Sequence, residues 1–248
     1  MYYLHLNMSI IRKLIPASIK LSYRLNQRRR SDRISGNNKL FAKEFADPSG
    51  FYPVVIIVQP VKTTAASLNK VHNLSLAIAG INNITIKAGE IFSFWELVGN
   101  PSQKNGYQKS RSIINGKLEA AVGGGLCQLS GLIYFLAICS GLKITERHAH
   151  SIDIYREEER FTPLGSDATV NYGYKDLRFL NQYNFPVAIS LELTGNNLTG
   201  KIGAKEKIDP CNIRFEYRES TTYTEADTIA GDNGNVAIIA SNRYKKLL

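Results

Sequence analysis

Apolar positions along the chain follow two periods, and these divide it into helices and strands. Leu68, Val71, Leu74 and Ile78 recur at helical intervals, which predicts a helix over 64–79 that stops at Gly80. Leu126, Leu129, Leu132, Ile133, Leu136 and Ile138 cover much of the surface of a second helix, over Leu126–Ser140, ending near Gly141. A helix apolar on so many sides belongs against a sheet. The run Val54–Val58, bounded by Pro53 and Pro60, predicts a buried strand. Ile84 and Ile86 mark a short strand, Lys87–Glu90 turns the chain, and the aromatic run Ile91–Trp95 leads to a turn at Gly99–Pro101. Leu177–Tyr183 and Pro186–Leu193 read as two antiparallel strands joined through Asn184 and Phe185, with Val187, Ile189, Leu191 and Leu193 facing inward. Beyond residue 195 the alternation weakens, which predicts peripheral strands and loops. The pattern as a whole predicts an α+β fold: a single domain whose central helix is buried on an antiparallel or mixed sheet.

The N-terminal segment reads differently. Over residues 8–25, Ile11, Leu14, Ile15, Ile19 and Leu25 fall near one helical face, Arg12, Lys13, Lys20 and Arg24 occupy the rest, and Pro16 marks a kink. Residues 31–50, rich in Ser, Asn, Gly, Asp and Pro, read as a connection. The predicted organisation is a basic amphipathic segment over 1–43 followed by a domain over 44–248.

Charge sharpens this division. The formal net charge of the 248-residue chain is +10. Residues 1–43 hold ten Lys and Arg against one acid, Asp32, so nearly all the excess sits there. The nearly neutral body argues against nucleic acid as a partner, while the leader suits a helix docked on the domain or peripheral contact with an anionic membrane. No run approaches 18 apolar residues, and no secretory leader pattern opens the chain, so the expected location is the cytoplasm, with membrane association as the variant.

Candidate chemistry gathers at Gly123–Asp167. Three glycines, Gly123, Gly124 and Gly125, precede Cys127 in the first turn of the buried helix. Glycines permit a sharp turn and close ligand approach, and the helix N-terminus favours a thiolate at Cys127. The amides of Gly124–Gln128 can hold an oxyanion or a carboxylate, and Gln128 adds a side-chain amide. A thiolate mechanism needs a base and an acceptor that orients it. His150 supplies the base and Asp167 the acceptor, with His148 on the same face if Ala149 is extended. Arg147 is a candidate carboxylate receptor, or a partner for Glu146. Two other readings stay open: Cys127 as a small core residue, and a metal held by His148 and His150 with Cys127 or Asp167, for which no recognised zinc spacing exists. Cys139 and Cys211 read as small packing residues. Without a nucleotide glycine motif, a Walker lysine or a GxSxG, the sequence implies no cofactor.

Gly123-Gly-Gly-Leu-Cys-Gln-Leu-Ser130, followed by Leu132-Ile-Tyr134, resembles the signature of the VanW family, named for a member of vancomycin B-type resistance clusters. Gly89-Glu-Ile-Phe-Ser-Phe94, Val98-Gly99 and Gly106-Tyr107 extend the resemblance upstream. Leu142–Ser151, Gly165-Ser-Asp-Ala-Thr-Val170 and Asp176-Leu-Arg-Phe-Leu-Asn181 extend it downstream, so that it covers roughly 64–195. It implies a cell-envelope or glycopeptide-response context. Together with the residues it leaves two readings: a cysteine-dependent acyl-transfer or hydrolytic site at Cys127, or a non-catalytic module that binds a peptide or glycan in the glycine-lined cleft.

Overall fold

The computed structural model describes residues 15–61, 67–114, 117–153, 162–231 and 236–246. The chain divides into two compact units, Met1–Leu40 and Phe41–Leu248.

Among its described residues, the first unit holds the helix α1 (Ala17–Ser35) and a 3-10 turn, Asn37–Lys39. Pro16 does not kink the helix. It occupies the cap position with φ −54°, where the missing N–H costs no intrahelical bond. The helix runs through Ser35 into the stretch expected to be a connection, and stops at Gly36, whose φ of +77° suits a residue without Cβ. Ile11 and Leu14 of the predicted amphipathic face lie outside the described residues. Over α1 itself Ile19, Tyr23 and Ile34 are exposed among Arg24, Arg30 and Arg33, so apolar and basic side chains intermix. Among the described residues, no helix is long and apolar enough to cross a membrane.

The second unit contains β1 (Glu44–Phe45), β2 (Tyr52–Pro60), α2 (Leu68–Ile81), β3 (Ile84–Ile86), β4 (Ile91–Ser93), α3 (Phe94–Val98) and the hairpin β5 (Lys109–Ile114) and β6 (Lys117–Val122). There follow α4 (Leu126–Cys139), β7 (Lys143–Glu146), β8 (Ile152–Asp153), β9 (Arg178–Leu180), β10 (Val187–Thr194), β11 (Asn197–Ala204), β12 (Ile213–Glu219), β13 (Tyr223–Ala230) and β14 (Ala237–Lys246). The expected α+β class is observed. An antiparallel sheet in the order β1-β3-β10-β11-β2 carries α4 on one face, with Leu129, Leu132, Ile133 and Leu136 fully buried. The helix ends as its sequence predicted. Gly141, at φ +68°, donates to Ile138 O, and Leu142 donates to Ala137 O, a pairing that satisfies the last carbonyls.

Three expectations are corrected. Gly80 does not stop α2. It lies one residue inside the helix, where an added Cβ would stand 2.9 Å from the Leu97 carbonyl oxygen, so it serves the close packing of α2 and α3. The two strands predicted at 177–193 do not pair with each other. β9 joins β4 and β7 in a separate three-stranded sheet, while β10 pairs with β3 and β11. Asn181 holds the chain between them, with Nδ2 donating to Ile86 O and Phe185 O. Finally, β11 lies inside the main sheet and β2 forms its edge, leaving Ile56 and Val58 exposed. Gly200 and Gly203 diluted the apolar signal of β11. An added Cβ at Gly200 would stand 2.6 Å from Leu136 Cδ1, so this glycine admits the buried helix.

The remaining sheet, β12-β13-β14-β8, brings the C-terminal strand alongside residues 152–153 in parallel register. Lys245 N donates to Ser151 O at 3.0 Å. This places β14 next to the segment that carries His148 and His150.

Replacing Gly200 with alanine should overpack the α4–β11 contact. The expected cost is about 1–3 kcal/mol, read as a fall in Tm of roughly 3–10 °C by circular dichroism. An unchanged midpoint would show that α4 can lift from the sheet at no cost.

Candidate active site

The turn into α4 is held by features local to the glycines. Gly123 and Gly125 have φ of +78° and +103°, in the left-handed region, and a Cβ on Gly125 would stand 2.7 Å from Lys70 Cγ. The carbonyl of Gly124 accepts from Nδ2 of the fully buried Asn73, which also donates to Gln108 O and accepts from Gln108 N. Asn73 on α2 thus ties the glycine turn to the end of the β5–β6 hairpin. Within the turn, the amides of Gly124, Leu126 and Gln128 donate to the carbonyls of Ala121, Gly123 and Gly125. Among the described residues, the turn amides of Gly125 and Cys127 donate to no backbone carbonyl, which narrows the oxyanion donors expected over Gly124–Gln128.

Cys127 stands half-buried in the first turn of α4. Its Sγ lies 3.5 Å from Thr169 Oγ1 and 3.8 Å from Val170 O. His150 is its ionisable partner. Burial is the largest influence on the thiol and opposes ionisation, but the hydrogen bond and charge of His150, with the bond to Thr169, together hold its pKa below the ordinary value. The same contact acts in reverse on the imidazole. Burial disfavours its charge, yet Asp167 and Cys127 push the His150 pKa up to about 10.

Asp167 is the hub. Its Oδ2 accepts both the backbone N–H and Nδ1 of His150 at 2.7 Å, which leaves Nε2 as the ring nitrogen for Cys127. Its Oδ1 accepts from Arg147 at 3.0 Å and from the Tyr244 hydroxyl at 2.5 Å. Burial would raise its pKa, but His150, Arg147 and Tyr244 bring it down to about 2. Asp167 is therefore ionised at any neutral pH.

The structure thus brings Cys127, His150 and Asp167 together and distributes the other candidates around them. Arg147 is 6% exposed at its side chain and is engaged internally. It donates to Asp167 O, Gly165 O, Asp167 Oδ1 and Asn242 Oδ1, and its guanidinium lies 4.7 Å from the Tyr134 ring centre. It does not pair with Glu146, which bonds His148 Nε2 at 3.1 Å, accepts Asp176 N and lies 3.6 Å from Arg178 Nε. His148 is turned to that acid, away from the shared face expected for it, because residues 147–150 leave the strand after Glu146. Its carbonyl instead accepts Thr169 N at 2.7 Å, which sets Thr169 beside Cys127. Gln128 Nε2 donates to Pro60 O, joining α4 to the end of β2. Among the described residues, no group of three or more His, Cys, Asp and Glu is placed to hold a metal ion.

Several of these contacts had no sequence signal. Tyr244 and Asn242 lie in a weakly alternating tail, and Tyr244 is 77 residues from Asp167. Thr169 and Val170 stood in a recognisable segment, but only the fold shows that they flank the thiol.

A family profile described as "VanW like protein" matches residues 69–203, more than half of the chain. The chain belongs to the VanW-like family. Two curated relatives agree. The "Uncharacterized protein YoaR" of Bacillus subtilis (strain 168) is 34% identical over 134 residues, covering 54% of this chain and 43% of that protein. The "Vancomycin B-type resistance protein VanW" of Enterococcus faecalis (strain ATCC 700802 / V583) is 34% identical over 139 residues, covering 56% of this chain and 50% of that protein. The chain spans about half the length of these relatives. No solved structure matches. The matched VanW-like region holds Cys127, Arg147, His150 and Asp167, whereas Asn242 and Tyr244 lie beyond its end.

Tyr244→Phe removes one hydrogen bond from the half-buried Asp167 carboxylate while keeping the ring. It should cost about 1.5–3 kcal/mol in chemical denaturation, as expected for a bond to a charged group. No loss would mean that Arg147 alone satisfies Oδ1.

Proposed function

We propose that this VanW-like protein is a cysteine-dependent acyl-transfer or hydrolytic enzyme acting on a peptide-like carbonyl. The observation that carries the reading is the relay Asp167–His150–Cys127: an ionised carboxylate fixes an imidazole from both its backbone and its Nδ1, and the imidazole in turn lowers the pKa of a half-buried thiol at a helix N-terminus.

In this mechanism the Cys127 thiolate attacks the carbonyl carbon, and the carbonyl electron pair moves onto oxygen. The Cys127 and Gly125 amides stabilise that oxyanion at the positive end of α4. As the intermediate collapses, the bond to the leaving nitrogen breaks and protonated His150 supplies its proton, leaving a thioester on Cys127 and a neutral imidazole. His150 then takes a proton from water or from an acceptor amine, which attacks the thioester and releases the thiolate. Arg147, Tyr244 and Thr169 act as positioning residues: the first two orient Asp167, and the third lies against the sulfur. The resistance name carried by the Enterococcus faecalis relative supports an envelope peptide as the substrate class.

The pKa shifts set the pH dependence. The Cys127 pKa is lowered and that of His150 is raised to about 10, so thiolate and imidazolium coexist from the depressed thiol pKa up to about pH 10. Cys139, pushed up to about 11 by burial and by the neighbouring Cys211, is an internal control. At pH 7 Cys127 should react with iodoacetamide on the order of 10²-fold faster than Cys139, allowing for the lower intrinsic nucleophilicity of a low-pKa thiolate. His150→Ala should slow Cys127 by roughly 10–100-fold at pH 7 and move its profile to higher pH. An activated peptide ester should then leave an acyl mass on Cys127 that is absent from Cys127→Ala. A thiol as slow as Cys139, with no acyl adduct, would sink the catalytic reading and leave the glycine-lined turn as a peptide or glycan cradle.

A further inference from the structure

The catalytic reading uses one of three cysteines, and the other two meet elsewhere. Cys139 is the last residue of α4, and Cys211 lies in the segment between β11 and β12. The amide of Cys211 donates to the carbonyl of Cys139 at 2.7 Å. With standard bond lengths that contact keeps the two Cα atoms within about 6.6 Å, inside the roughly 4.4–6.8 Å range that a disulfide spans without backbone movement. Both side chains are half-buried, so a small oxidant can reach them.

We infer that Cys139 and Cys211 are a disulfide pair, which a small-molecule disulfide such as oxidised glutathione closes without Cys127. The charge of Cys211 acts on the Cys139 thiol and also on the neighbouring Tyr183 hydroxyl, so the Cys211 sulfur faces this corner of the fold. Alternative pairings fail on distance. Cys127 and Cys139 are twelve residues apart on one straight helix, a rise of roughly 18 Å. Cys211, bonded to the far end of that helix, is remote from Cys127 for the same reason. The odd cysteine count thus resolves into one cross-link and one reactive thiol.

The exchange balances. The Cys211 thiolate attacks one sulfur of the oxidant, and the first glutathione thiolate leaves. Cys139, deprotonated in turn, attacks the Cys211 sulfur of the mixed disulfide and expels the second. Two thiols become one disulfide, one disulfide becomes two thiols, and the two protons go to the departing glutathiones. The bond would close a loop of roughly 70 residues and fasten the end of α4 to the segment leading into β12. That segment precedes the sheet whose strand β14 supplies Asn242 and Tyr244 to the site.

The test oxidises the native full chain with oxidised glutathione, blocks free thiols with iodoacetamide and maps peptides by mass. The expected product is a 139–211 cross-link with Cys127 outside it, whatever modification Cys127 itself carries, and a Tm raised by roughly 5–15 °C over the reduced chain. Cys211→Ser should abolish both changes, whereas Cys127→Ser should keep them. Separate glutathione adducts on Cys139 and Cys211, or a cross-link that includes Cys127, would overturn the inference. None of these outcomes depends on whether Cys127 is catalytic.

Discussion

The Asp167 carboxylate divides its two oxygens between the His150 imidazole and a scaffold, and the rest of the site depends on that division. Oδ2 takes both the amide and the ring of His150, and Oδ1 takes Arg147 and Tyr244. Even a half-buried carboxylate is costly unless its lone pairs are engaged. Here that requirement fixes its rotamer, and the rotamer fixes the imidazole. The groups that satisfy it come from the segment after β7 and from the last strand of the chain. Assembly of the site therefore waits on packing of the C-terminal sheet, although the cysteine and histidine lie well inside the VanW-like region.

The same logic explains why the helix that carries Cys127 is so fully buried. A thiol on a frayed first turn would wander from its partners by more than a hydrogen bond tolerates. Asn73 grips the glycine turn ahead of the cysteine, Gln128 reaches β2, and Ser130 donates to Ala168 O on the segment that flanks the thiol. Four leucine and isoleucine side chains without exposure hold the helix against β11, where Gly200 makes room. Cys127 thus sits on a rigid element. The opposite end of that element, at Cys139, lies beside the segment that leads into the C-terminal sheet.

A second buried polar group shows how charge is handled away from the thiol. Asp176 accepts from Ser93, the amides of Trp95 and Leu177, and Arg178, whose guanidinium also lies against the Phe41 ring. Glu146 links this network to His148. The two histidines of one short segment therefore belong to different carboxylates. The one bound to Asp167 acts on the thiol, and the other braces the three-stranded sheet.

The elements whose signal is local were legible in the amino-acid pattern. The leucine periodicity of α4, its glycine turn and its stop at Gly141 follow from side-chain spacing and backbone freedom, and Cys127, His150 and Asp167 stood out because their residue types form a coherent acid–base set. The hairpin over 109–122 gave no comparable periodic signal, and the glycines of β11 hid an inner strand. Strand pairing came from the folded packing alone, because it is chosen by long-range contacts and not by alternation within a strand. That packing also decided that His150 and not His148 faces the thiol, that Arg147 turns inward, and that Asn242 and Tyr244 complete the site. Those choices rest on contacts between residues tens of positions apart, whose geometry exists only once α4 has closed on its sheet.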